Sequence, residues 1–298
     1  MANLNKKIKG NIILFVTAII WGISFVSQSV GMEYIGPNTF MGIRTLMGAM
    51  VLLPFIFFTD RAKKKQGTYK KTDMKSLIKY GTLCGLFLCA AQTLQNYGLQ
   101  YTTTAKSGFL TALYIIFVSV IGVFVGKKIN SKMILGILTA VLGMYFLCLF
   151  GNSAIFNVGD LMTIICALFF AGQILCIDKF VSYTDGVKLS CAQFLVAGLL
   201  NTILMFILES PDINAIMSCA TALLYSGVMS CGVAYTLQVI GQKYAEPTSA
   251  SIIMSLESVF AAISGWIILG QGMSITQVFG CMLMFLAIVL VQLPDKKI

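Results

Sequence analysis

Apolar residues run along this chain in long blocks, and polar residues gather between the blocks instead of alternating within them. A half-buried strand would alternate with period two, and a soluble helix would keep a polar face at every third or fourth position. Neither pattern is present: "NIILFVTAIIWGISFV" (11–26) and "CMLMFLAIVLV" (281–291) are apolar almost all round. A helix needs roughly 20 residues to cross a hydrocarbon core of about 30 Å. Ten blocks of about that length occur, at 11–31, 37–58, 76–99, 104–126, 131–150, 159–180, 186–208, 215–241, 247–269 and 274–293. The pattern predicts an all-α integral membrane protein of ten transmembrane helices.

The chain also writes one line twice. "TLQNYGLQY" (93–101) returns as "TLQVIGQKY" (236–244), with Thr93, Leu94, Gln95, Gly98 and Tyr101 each matched 143 positions later. Leu113/Leu256, Gly122/Gly265 and Ser131/Ser274 keep that offset. Upstream the offset is 149, which carries Gly10, Ala18, Trp21 and Arg44 onto Gly159, Ala167, Phe170 and Gln193. The six-residue change falls where the first half has a long basic loop (about 59–75) and the second only a short turn. The expectation is two homologous units, 1–150 and 151–298, of five helices each. Five is odd, so the second unit enters the membrane from the opposite face: the repeats are inverted. Halves of opposite orientation that exchange conformations give alternating access around a midplane site, which points to transport. The first helix resembles a leader, with Lys6–Lys9 ahead of an apolar run, but its echo inside the chain makes it part of a repeat and not a removable segment.

Composition fits this reading and charge orients it. Hydrophobic residues make up 58% of the chain and charged residues 11%, with a mean hydropathy of +0.88. The net charge of +10 is not a nucleic-acid footprint, because its placement alternates with the helices. Lys6, Lys7, Lys9, the 61–79 cluster, Lys127, Lys128, Lys132, Lys179, Lys188, Lys243, Lys296 and Lys297 all fall at one face. Lys106 falls at the other, with Glu33, Asp160, Glu209 and Asp212. By the positive-inside rule both termini are cytosolic. The bilayer is a partner by construction, and the basic loops face anionic lipid.

"AIIWGISF", "GIRTLMGAMVLLPF", "SGFLTALYIIFVSVIGVFVG" and "ASIIMSLESVFAAISGWIILGQ" together resemble the drug/metabolite transporter superfamily, in its EamA-type members with two EamA repeats. The resemblance covers nearly the whole chain. It implies secondary, ATP-independent transport of small metabolites in a bacterial plasma (inner) membrane, often export of amino acids or related small amphipathic compounds. The chain departs from the family pattern at Ser258 and Ser119, where proline is common, and at Gln271 and Lys127, where an acid is common.

Candidate chemistry is sparse. There is no histidine and no Walker A sequence, and the nine cysteines form no CxxC pair. This leaves no metal or cofactor to expect, and no acid or histidine cluster of the kind a membrane-embedded enzyme would need. A charge at the bilayer centre costs roughly 2.5–3.5 kcal/mol, so Glu257 and Arg44 stand out. Glu257 is the repeat equivalent of Tyr114, and the two should face each other across the pseudo-twofold axis. It reads as a substrate anchor, a proton-coupling carboxylate or a structural acid. Arg44 reads as a packing or snorkelling residue or as a binding group. From helix rise the two charges should differ in depth by only about 5 Å, close enough to pair if their helices adjoin. Trp21, Gln95, Gln173, Tyr235 and Gln238 complete the candidate set for substrate and coupling, with Gln28, Gln92, Asn96 and Gln193 as further membrane amides. Such a lining suits a small zwitterion, an amine or a neutral amphipath better than a sugar phosphate. A passive facilitator for a small neutral solute, or a structural or enzymatic membrane protein, remains the alternative to a transporter, with the proton as possible coupling ion in the first reading.

Overall fold

The computed structural model describes residues 2–69, 71–101, 104–127, 129–148, 156–270 and 272–292, with the side chains of 2–5, 104–106, 147–148, 269 and 292 outside the description. Lys70, Lys128, Gln271, Lys296, Lys297 and the side chains of Lys106 and Cys148 therefore lie outside the described residues. The helices are α1 (Ala2–Gly31), α2 (Pro37–Lys65), α3 (Met74–Leu99), α4 (Thr104–Ala112 with Tyr114–Phe124) and α5 (Ser131–Cys148). The second half supplies α6 (Val158–Phe180), α7 (Gly186–Leu208), α8, α9 (Pro247–Met254 with Glu257–Leu269) and α10 (Ile275–Gln292). α8 joins Ala220–Leu224, a π-helical stretch Tyr225–Tyr235, and Thr236–Gln242, after a short lead-in helix Ile213–Ser218. Among the described residues there is no strand. Eight of the ten helices are long and apolar enough to cross a bilayer by themselves; α5 and α10 are shorter apolar helices. Those two pack side by side.

The helix contacts obey a twofold rule. α2 lies on α7, α4 on α9 and α5 on α10, and each pair is its own equivalent under exchange of the halves. The other main contacts come as mates: α3 on α6 with α1 on α8, α3 on α7 with α2 on α8, and α4 on α6 with α1 on α9. The repeated line explains one pair of mates. At Gly98 an added Cβ would stand 2.8 Å from the Gly159 carbonyl oxygen, and at Gly159 it would stand 2.8 Å from the Tyr101 Cβ. The equivalents Gly10 and Gly241 meet in the same way, with the Tyr244 Cβ 2.8 Å from an added Cβ at Gly10. Backbones approach this closely only where side chains are absent, so the glycines set how α3 crosses α6 and how α1 crosses α8.

α4 and α9 break at equivalent positions, Leu113 and Leu256. The family-like proline is missing, yet the turn tightens: Leu113 N–H donates to Leu110 O at 3.3 Å and Leu256 N–H to Ile253 O at 3.2 Å, i→i+3 bonds of the 3₁₀ kind. In α9 the Ser255 hydroxyl donates to the Ile252 carbonyl at 2.8 Å, a side-chain bond of a type that bends helices.

α2 and α7 are tied at both ends. Glu209, the C-cap of α7, accepts from the first turn of α2: Asn38 N (2.7 Å), Asn38 Nδ2 (2.9 Å), Thr39 N (2.8 Å) and Thr39 Oγ1 (2.6 Å). A carboxylate there satisfies amides the helix cannot satisfy itself and sits at the favourable end of its dipole. Asp60 lies 149 positions before Glu209 and makes the mate contact, accepting from Lys188 Nζ at 2.7 Å in the first turn of α7. Lys63–Asp185 (2.9 Å) reinforces that end. Burial pushes the Asp185 carboxyl up, but Lys63 and the capped Lys188 and Val187 amides outweigh it and hold the group below the usual carboxylate value.

Candidate functional site

One narrow central cavity, with about 30 Å³ of interior space, lies among α1, α2, α3, α4, α6, α8 and α9. All eight candidate site residues (Trp21, Arg44, Gln95, Tyr114, Gln173, Tyr235, Gln238 and Glu257) are on its wall. The cavity is built on the pseudo-twofold axis. Trp21/Phe170, Ser24/Gln173, Phe25/Ile174, Gln95/Gln238, Thr111/Met254 and Tyr114/Glu257 are repeat equivalents, and both members of every pair line it. On the axis the members touch: the Tyr114 hydroxyl donates to Glu257 Oε1 at 3.2 Å across 143 residues. Gln92 Nε2 likewise donates to its own equivalent, the Tyr235 hydroxyl, at 3.2 Å. Glu257 and Tyr114 each open the second half of a broken helix, so the break carries both to the cavity.

The symmetry is incomplete. Gln28, Arg44, Ser230 and Tyr235 line the cavity, whereas their equivalents Ile177, Gln193, Phe87 and Gln92 do not. The π-helical stretch has no counterpart in α3, and both Ser230 and Tyr235 lie in it. Tyr235 is held by ring contacts to Trp21 (centroids 4.6 Å apart) and Phe194 (5.7 Å).

The amides divide between lining and bracing. Gln238 Nε2 donates to Gln173 Oε1 and Gln173 Nε2 to Gln193 Oε1, each at 3.2 Å, a relay linking α8, α6 and α7. Gln95 Nε2 donates to Thr111 Oγ1 at 3.2 Å. Asn96 Nδ2 donates to the Gln92 carbonyl at 2.8 Å, behind the wall. Ser24, Phe25, Thr111, Phe170, Ile174, Ser230 and Met254 also line the cavity and are not in the candidate set from sequence. For Phe170 and Ser24 the repeat itself is a signal, since they are the equivalents of Trp21 and Gln173.

The expected Arg44–Glu257 ion pair is not formed. Carboxylates lie within 4.0 Å of Lys63, Lys127 and Lys188, at the lysine-rich end, and among the described residues none lies that close to Arg44. Arg44 is 2% exposed, with its guanidinium carbon 5.9 Å from the Phe40 ring centroid and no hydrogen-bond partner for Nε or Nη1. Similar depth along the helices does not by itself bring two side chains within ion-pair distance, although both line the same cavity.

The EamA-like transporter family matches this chain twice, over residues 8–149 and 157–293. The chain belongs to the EamA-like transporter family. The two matches divide it as the repeated line does. An uncharacterized transporter of Archaeoglobus fulgidus is 29% identical over 97% of this chain and 87% of its own length. The uncharacterized transporter YoaV of Bacillus subtilis is 25% identical over 89% of this chain and 90% of its own. A solved crystal structure shares the fold with a TM-score of 0.77 and 15% identity, over 95% of this chain and 96% of that one. This EamA-family chain is an integral membrane protein of the transporter type.

Proposed function

We propose that this EamA-family protein is a secondary transporter that moves small metabolites by alternating access without ATP, exporting amino acids or related small amphipathic compounds. Its units are the two inverted halves, 1–150 and 151–298, and its site is the cavity between them. Both termini face the cytosol of a bacterial cell, and the membrane is the plasma membrane. The observation that carries the reading is the hydrogen bond between Tyr114 and its own repeat equivalent Glu257, inside a cavity walled by six such pairs. Exchange of conformation between equivalent halves leaves a contact on the axis in place while the paths on either side open and close. Glu257 is 6% exposed and is the single acid on the wall, so it is the group that couples flux to a proton by changing charge. Trp21, Arg44, Gln95, Gln173, Tyr235 and Gln238 bind the cargo. The test is flux in proteoliposomes with and without a pH gradient. Glu257→Gln keeps the shape and should lose the response to the gradient; unchanged flux with unchanged pH response would take Glu257 out of the mechanism.

A further inference from the structure

We propose that the groove between α2, α3 and α7 at the lysine-rich end is a binding site for one anionic phospholipid of the adjoining leaflet. Its phosphate sits on Lys71 and Lys188, and an acyl chain lies on the apolar floor. The site is separate from the central cavity and does not depend on the transport reading. The groove has about 480 Å³ of interior space, within the roughly 300–1,000 Å³ usual for ligand sites. Its rim is polar, with Asp60, Tyr69, Lys71, Thr72 and Lys188, and its floor is apolar, with Leu53, Ile56, Leu77, Ala192 and Leu195. Leu53 precedes Asp60 by seven residues on α2, and Leu195 follows Lys188 by seven on α7. The helices run in opposite directions, so both sides of the floor lie about 10 Å deeper in the membrane than the rim. Leu53 is 51% exposed and Leu195 39%, and on helices that cross a bilayer such a floor opens sideways to lipid chains. A soluble anion gains nothing from that floor; an acyl chain does.

The rim carries more positive charge than it neutralises. An ammonium group has three donors, and Lys188 Nζ commits two, to Asp60 Oδ2 at 2.7 Å and Thr72 Oγ1 at 2.8 Å. Lys71 is exposed, and among the described residues no carboxylate lies within 4.0 Å of it. The Tyr69 ring draws in two cations, with Lys64 Nζ 4.9 Å and Lys188 Nζ 5.5 Å from its centroid. Three ammonium groups therefore gather at or beside this rim, against the one carboxylate that lines it. Basic pockets between membrane helices match anionic head groups, whose phosphate oxygens accept from ammonium donors. The repeat shows that the feature belongs to one end only. The equivalents of Asp60 and Lys188 are Glu209 and Thr39, which bond directly at the other end, where threonine replaces the lysine. Tyr69, Lys71 and Thr72 come from the long basic loop that the second half lacks. Since α2 and α3 belong to one half and α7 to the other, a lipid seated here bridges the halves.

The experiment uses the purified full chain in a neutral detergent. Its probes are dioleoyl phosphatidylglycerol, dioleoyl phosphatidylcholine (the same chains, no net charge) and glycerol phosphate (an anionic head without chains). Binding is read as a rise in unfolding temperature with probe concentration, and stoichiometry by native mass spectrometry. Phosphatidylglycerol should bind at least about fivefold more tightly than phosphatidylcholine, the worth of one basic residue facing anionic lipid, and glycerol phosphate should leave the transition unmoved. Lys71→Gln should weaken phosphatidylglycerol about fivefold and leave phosphatidylcholine unchanged. Lys243→Gln, exposed at the same end but outside the groove, should change neither, which separates a site from attraction by net charge. Leu195→Trp crowds the floor and should weaken both lipids. Lys71 and Leu195 are exposed, so both variants should unfold at the parent's temperature without lipid, which guards against misfolding. The inference is overturned if phosphatidylcholine binds as tightly as phosphatidylglycerol, or if Lys71→Gln and Lys243→Gln lose affinity alike. Binding of glycerol phosphate as tight as that of the lipid, or an unchanged lipid affinity in Leu195→Trp, would overturn it too.

Discussion

Glu209→Gln should destabilise this protein more than its position at a helix end suggests. The carboxylate takes four hydrogen bonds from Asn38 and Thr39, so it caps the buried N-terminal end of α2 from a different half of the molecule. The amide keeps one accepting oxygen but turns an NH₂ group toward donors, so about two of the four bonds fail and the favourable charge at the helix N-terminus disappears. Hydrogen bonds to charged groups contribute roughly 1.5–3 kcal/mol each, and the helix-dipole term adds about 0.3–1. Glu209 is half-exposed, which reduces these figures, and a net loss of about 2–3 kcal/mol follows. For a chain of this size that is a fall of roughly 4–8 °C in unfolding temperature. A thiol-reactive fluorophore can read the transition, because Cys84, Cys166 and Cys231 are fully buried and react only on unfolding. Asp212→Asn, in the same connection, caps only the short lead-in helix and asparagine caps as well as aspartate, so it serves as the control. A shift below about 1 °C for Glu209→Gln, or an equal shift for Asp212→Asn, would refute the latch.

Three further outcomes are expected. A cysteine placed at exposed Lys65 in a cysteine-free background should resist an impermeant thiol reagent added outside intact cells; labelling there would reverse the topology. Gly22→Ala should cost about 1–3 kcal/mol by overpacking, because its Cβ would stand 2.3 Å from the Phe260 Cβ and 2.8 Å from the Ala261 backbone nitrogen; an unchanged unfolding temperature would show that α1 and α9 are not so close. Asp185→Asn keeps the cap but loses the Lys63 pair, so it should cost up to about 1 kcal/mol at neutral pH. Since the folded carboxyl lies below its ordinary value, this contribution is complete above the unfolded pKa near 4 and is lost as pH falls through the lower folded one, so the two proteins should converge in acid.

Helix number and repeat order are legible in the sequence because bilayer thickness fixes span length and because the repeated line holds the glycines of two equivalent crossings. Tyr114 and Glu257 are legible as a pair for the same reason, since an offset of 143 places them on one axis. Lateral position is not legible. Depth counted along helices put Arg44 beside Glu257, but depth says nothing of the way around the cavity, and the pair does not form. Phe25, Ile174 and Met254 escape notice because an apolar residue in a span reads alike facing lipid or cavity. The π-helical stretch of α8 carries no local signature beyond Gly227 and Gly232, and the breaks in α4 and α9 occur without the proline that would announce them.

The central claim is that two inverted halves expose one cavity to each side of the membrane in turn. Counterflow tests it most directly. Proteoliposomes preloaded with a bound amino acid are diluted into its radiolabelled form, and uptake is followed over time and concentration. The account predicts saturable uptake that transiently exceeds equilibrium and is accelerated by internal substrate, because a loaded carrier returns faster than an empty one. Uptake that rises linearly with concentration and ignores the internal pool would contradict it.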